Sequence, residues 1–335
     1  MSFVSGILTR RRRYQVEKPR EPLFVVMSCN LNLEIDYNQV QASDVRDRVF
    51  ALMGLCSDVD EFEMFPDYSI SAERVYEILA RRFLEQGYID NLAHCQFPHN
   101  LGSNTLPTWV PDWSMHIRFP MTGYHSEARA SGTRTQSKPI TSLDPKAVTL
   151  EGVLVDTISE VGNEWDPNWL EDVDPDAALR YLTDIWRFRT LSQRLREAST
   201  LFDCARLAIA DRYRWKDEEF PHWLGVIWPD ALASLTRSDQ LEAEFYNLRY
   251  ARRYVALIKR LHSRRPFISE SGWVGLAPSH GKQGDKIVIF LGGKTAYIVR
   301  AREASTYTVI GEAYVHGIMY GEFMTDDVQV ELFNL

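Results

Sequence analysis

Ile287-Val288-Ile289-Phe290-Leu291-Gly292-Gly293-Lys294-Thr295-Ala296-Tyr297-Ile298-Val299 is the stretch on which the fold turns. Two runs of β-branched and aromatic residues flank a pair of glycines, as two short strands joined by a tight turn do. No GxxxxGK[ST] surrounds Gly292-Gly293-Lys294, so the glycines are read as a hairpin turn and not as a phosphate loop. Working outward, Tyr307 to Ile310 and Tyr314 to Ile318 read as further short strands. Gly281, Gly284, Gly311 and Gly317 punctuate them, and the apolar period is two from Phe267 onward. Short strands at such spacing predict a small barrel or curled sheet.

Upstream the pattern changes. Leu23 to Leu33 is apolar and fits helix or strand. Ser43 or Asp44 opens a helix in which Val49, Leu52 and Met53 share a face, with Gly54 near its end. Ser71 is a natural N-cap for a helix over residues 72–86, striped by Val75, Tyr76, Leu79 and Phe83. Leu106 to Ser114 cannot be regular helix, because Pro107 and Pro111 lack amide donors and restrict the residues before them. Residues 129–142 read as loop. Val148 to Ile158 alternates as a strand of about ten residues, open to a break at Gly152. Pro175 starts a helical region reaching to about residue 213, and a second long helix covers about 239–262.

The fold class expected is α+β, with helical N-terminal and central regions packed with a small C-terminal antiparallel β-barrel or curled sheet. The expected organisation is a disordered basic arm over 1–20 and a helical region with the tryptophan loop over 21–126. A strand plus long-helix region over 127–265 and a β-rich region over 266–335 follow.

Composition narrows the function. Of 335 residues, 46 are acidic and 38 basic, giving a net charge of −8, which argues against general nucleic-acid binding. The Arg10–Arg13 run reads as a solvated arm, or as a nuclear or phosphate-binding tag. Four scattered cysteines form no CxxC pair, which fits a reducing compartment. No apolar run reaches the roughly 18 residues of a membrane span. The expectation is a soluble, cytoplasmic protein with neither nucleic-acid binding nor membrane insertion.

Several motifs in order then resemble a known family. Ala42 to Leu55 is similar to the "ATDPRDKVYALLGL" segment of fungal heterokaryon-incompatibility (HET) proteins, and Pro66-Asp67-Tyr68-Ser69 with Val75-Tyr76 to their "PDYSxSxxxVY". Leu106 to Ser114 resembles their "LPSWVPDWS". Gly272 to Pro278, Gly284-Asp285 and Gly311 to Glu322 resemble their C-terminal "GYxGLGP…GD…GExYVHGIMDGE". Val45 stands where the family motif has Pro. The TIR-like "YxALSYxWG" segment linked to cell death in the family is absent from the forty residues before the match. The resemblance implies the family's C-terminal body without its effector half.

Candidate site residues come from two stretches. In the tryptophan loop, Trp109 and Trp113 could wall a ligand site beside Asp112, or simply anchor the loop. In a strand, Glu312, Tyr314 and His316 share a face, which makes an acid/base trio. Glu312, His316 and Asp112 are therefore the catalytic candidates, and Trp109, Trp113 and Tyr314 the ligand-binding candidates. His94, Cys95 and His99 fit no zinc spacing, and no GxSxG or GxGxxG is present, so neither metal nor cofactor is expected.

Three functions remain open. One is a recognition or regulatory module in self/non-self or defence responses, with a HET-type protein partner or a small-molecule signal. Another is a cofactor-independent, redox-neutral enzyme of secondary metabolism acting on an apolar small molecule, as a cyclase, pericyclase or isomerase. The third is a fragment that pairs with longer relatives.

Overall fold

The computed structural model describes residues 12, 21–31, 42–62, 64–98, 106–115, 117–118, 120–121, 126–137, 144, 146–165, 175–195, 200–211, 257–302 and 306–335. The Arg10–Arg13 run apart from Arg12, His99, and most of the helix expected over 239–262 lie outside the described residues.

Six antiparallel strands close a barrel. They are β1 (Thr149–Val161), β2 (Arg264–Ser269), β3 (Val274–Pro278), β4 (Lys286–Phe290), β5 (Ala296–Ala301) and β6 (Tyr307–Val315). Around the barrel the order is β1-β2-β3-β6-β5-β4 and back to β1. Closure depends on β1, which pairs with β4 through residues 152–157 and with β2 through 158–161. Register shifts at Leu154/Asp156 and Ile158/Glu160 let it swing from one neighbour to the other. A seventh strand, β7 (Glu331–Asn334), pairs with the opening residues of β1.

Strand alternation sorts the side chains into two sets. Ile287, Ile289, Ala296, Ile298, Ala313 and Val315 point inward with Ile158, Phe267, Ala277, Ile310 and Ile318, and all are buried. This barrel is filled by side chains, as small barrels are. The intervening residues point outward into two further cores. Val288, Phe290, Tyr297, Val299, Val309 and Phe333 pack against the N-terminal helices. Those helices are α1 (Leu23–Leu31), α2 (Asp47–Met53) and α3 (Ala72–Glu85), followed by a 3₁₀ segment at Ile89–His94. Ile268, Val274, Leu276 and Tyr314 pack against α4 (Pro175–Leu191) and α5 (Thr200–Ala208). The α+β class expected from sequence is what is found, with the sheet closed.

Several details differ from the sequence reading. Leu23–Leu31 is helix, and its residues Leu23 to Met27 are buried in the N-terminal core region. The helix expected from Ser43 or Asp44 begins at Asp47. Asp44 stands outside it, and its Oδ1 accepts from Arg46 N at 3.0 Å. The helical region from Pro175 divides into α4 and α5, because residues 192–195 are not helical. β1 does not break at Gly152. There a side chain would meet Ile289 O, Phe290 Cδ1 and Val288 Cγ1 at 3.1 Å, so glycine admits β4 at close range. β6 runs unbroken where two strands were expected, with Gly311 at φ 142° inside it. No helix among the described residues is long and apolar enough to cross a membrane.

Candidate functional site

The tryptophan loop is built by its prolines and its aspartate. Val110 N donates to Pro107 O at 3.0 Å and Trp113 N to Pro111 O at 3.1 Å. Asp112 Oδ1 accepts from Ser114 N at 3.1 Å and from Ser114 Oγ at 2.5 Å, closing an Asx turn. Arg48 Nη1 donates to Trp113 O and Met115 O, both at 3.3 Å, and ties the loop to α2. Both indoles face inward. Trp109 is fully buried, donates Nε1–H to Lys146 O at 2.9 Å and lies 5.1 Å beneath the Arg81 guanidinium. Trp113 meets Tyr76 and Phe83 edge-on at 5.4 and 6.2 Å. These two rings belong to the N-terminal core, whereas Tyr314 belongs to the core under α4 and α5.

Glu312, Tyr314 and His316 project from β6 and its end on the outer side of the barrel, but they serve two networks. Glu312 is 1% exposed and pairs with the buried Arg264 of β2. Its Oε1 also accepts from Met121 N at 2.7 Å, and Arg264 Nη1 donates to Glu312 O at 2.8 Å. Tyr314 and His316 instead form a chain with α5 and α4. The Tyr314 hydroxyl lies 3.1 Å from His316 Nδ1, and His316 Nε2 lies 3.3 Å from Asp203 Oδ1. Asp203 Oδ2 accepts from Arg189 Nε at 2.8 Å.

The protonation states follow from these partners. Burial pushes the Tyr314 phenol well above its ordinary range, and the nearby Asp211 charge adds to this. It therefore keeps its proton and shares a hydrogen bond with His316 Nδ1, while His316 Nε2 faces the Asp203 carboxylate. Burial works to raise Asp203, but the hydrogen bond from His316 and the Arg189 charge outweigh it and hold the carboxyl below its usual value. The relay is satisfied and sealed, with Tyr314 2% and His316 7% exposed. It clamps α5 to the barrel.

Asp112 alone among the sequence candidates lines an open feature. A cleft of about 490 Å³ is bounded by Gln96, Phe97, Asp112, Met115, Arg118, Glu164, His262, Ser263, Ser279 and His280. Its walls come from the chain after the 3₁₀ segment, the tryptophan loop, the residue stretch after β1, and the ends of β2 and β3. Arg118 braces it, donating to Gln96 Oε1 at 2.7 Å and Ser263 O at 2.8 Å. Ser263 sits at φ 54°, left-handed backbone held by its N–H on Trp165 O at 2.6 Å. His280 packs edge-on to Phe97 at 6.0 Å, with its Nδ1 3.1 Å from Ser279 Oγ. Asp112 is 7% exposed, and its Oδ2 finds no hydrogen-bond partner among the described residues.

Sequence reasoning missed Asp203, Arg189 and Arg264, and the histidines and Glu164 of the cleft. A signal existed for Asp203: an acid between apolar residues of a short helix is out of pattern. None existed for the cleft, whose residues come together only in three dimensions. Among the described residues no group of three or more His, Cys, Asp or Glu side chains is arranged to hold a metal ion.

Comparison with known proteins agrees with this architecture. A family model described as the Het-6 β-barrel domain matches residues 211–335, which include β2 to β7. Heterokaryon incompatibility protein 6, OR allele, of Neurospora crassa is 25% identical over 345 aligned positions, covering 87% of this chain and 50% of that protein. The chain thus spans about half the length of the curated relative it matches. No solved structure matches it. Through its Het-6 β-barrel domain and this relative, the chain is similar to fungal heterokaryon-incompatibility (HET) proteins.

Proposed function

We propose that this chain acts as a recognition or regulatory module in self/non-self or defence responses. The observation that carries the reading is the Het-6 β-barrel match, joined to a relative named as a heterokaryon incompatibility protein. Geometry supports it. Apolar side chains fill the barrel interior, and Glu312, Tyr314 and His316 are held in buried networks that bind layers together. Such a body is rigid and presents its polar cleft on a fixed frame, which suits recognition. Deleting the gene and pairing incompatible strains tests the role. Weakened barrage formation and cell death is the expected result, and an unchanged reaction overturns it.

A further inference from the structure

The cleft beside the tryptophan loop has a ligand chemistry that can be read from its walls. We propose that it receives a basic side chain, arginine or lysine, from a partner protein. This deepens the recognition reading and rests on it.

The argument starts at Asp112. Its Oδ1 is occupied by Ser114, and its Oδ2 is buried without a hydrogen-bond partner among the described residues. A buried carboxylate oxygen left unmatched is costly, and what relieves it is an N–H donor, best a charged one. Glu164 places a second carboxylate on the same cleft and makes no ion pair among the described residues. The cation on the wall, Arg118, already donates to Gln96 and to the Ser263 carbonyl. The unmatched polar chemistry is therefore anionic and accepting. Phe97 and Met115, the latter 39% exposed, supply apolar wall for the methylene stem of an arginine or lysine. The volume, about 490 Å³, accommodates one long side chain with its flanking backbone.

Titrating the full chain with N-acetyl-arginine amide, its neutral isostere N-acetyl-citrulline amide, and inorganic phosphate tests this. The arginine probe should bind, citrulline about tenfold or more weaker, and phosphate not at this cleft. Glu164→Gln should weaken the arginine probe by about threefold to tenfold, and Asp112→Asn by about tenfold or more. Asparagine retains an acceptor for Ser114, and the exposed Glu164 variant carries the test if the Asp112 variant fails to fold. No binding of the arginine probe, equal binding of citrulline, preference for phosphate, or native affinity in Glu164→Gln overturns the proposal. Loss of incompatibility on gene deletion without binding here places recognition elsewhere on the chain. Binding here without any deletion phenotype retains the site and removes the recognition role.

Discussion

Glu312 shows how much a single residue's surroundings change its meaning. Its place on the face shared with Tyr314 and His316 is legible from strand parity. Its partner is not, because Arg264 lies 48 residues earlier and reaches it only when β2 and β3 bring the strands into one barrel. The same holds for Asp203, whose link to His316 spans two layers. Buried ion pairs contribute unevenly, and removing one partner leaves an uncompensated charge. Arg264→Met should therefore destabilise the fold by about 3–5 kcal/mol in denaturant titrations. The double variant Arg264→Met/Glu312→Leu should recover a large part of that loss. Equal losses in the single and double variants would mean that the arginine acts through packing alone.

Elements were legible where local rules act alone. Ser71 was readable as an N-cap, and its hydroxyl accepts from Arg74 N at 3.3 Å at the start of α3. Ser71→Ala should cost about 1 kcal/mol, measured by thermal or denaturant unfolding, with Ser71→Gly costing less. The hairpin around Gly292-Gly293 was equally readable, since Ile287 and Tyr297 needed only each other's neighbourhood. What stayed hidden was the pairing of β1, which reaches across more than a hundred residues of chain to close the barrel. Barrel closure also depends on one glycine. A Cβ on Gly275 would collide with the backbone oxygen of Tyr314 on β6 and stand 2.7 Å from Phe267 Cζ. Gly275→Ala should lower stability by about 1–3 kcal/mol through overpacking. A companion Phe267→Leu substitution should return little of that loss, because the Tyr314 carbonyl oxygen stays in the way.

At the scale of the whole molecule, the 3₁₀ segment Ile89–His94 joins the helical layer to the barrel and sets an opposed pair of titrations. Asp90 Oδ1 accepts from Lys294 N at 2.8 Å on the β4–β5 turn, and burial raises its carboxyl to about 6. His94 lies 5.9 Å from the Phe24 ring, and burial lowers it to about 4. A base depressed from 6.5 to about 4 stabilises the fold above pH 6.5 and loses that contribution as pH falls toward 4. An acid raised from 3.8 to about 6 does the opposite: its contribution is full below pH 3.8 and is lost as pH rises through 6. Each shift corresponds to about 3 kcal/mol, so the two nearly cancel between pH 4 and 6.5. The carboxyl of Asp44, held near 2 chiefly by its hydrogen bonds from Arg46, titrates below that window. Denaturation midpoints measured at pH 4.5, 5.5 and 7 should therefore vary little in the native chain. Asp90→Asn should make stability fall steeply on acidification, as His94 then acts unopposed. His94→Leu should make it rise over the same interval. The comparison uses slopes, so any constant cost of repacking drops out. Parallel slopes in all three proteins would show that neither group is buried as tightly as the joint between the layers requires.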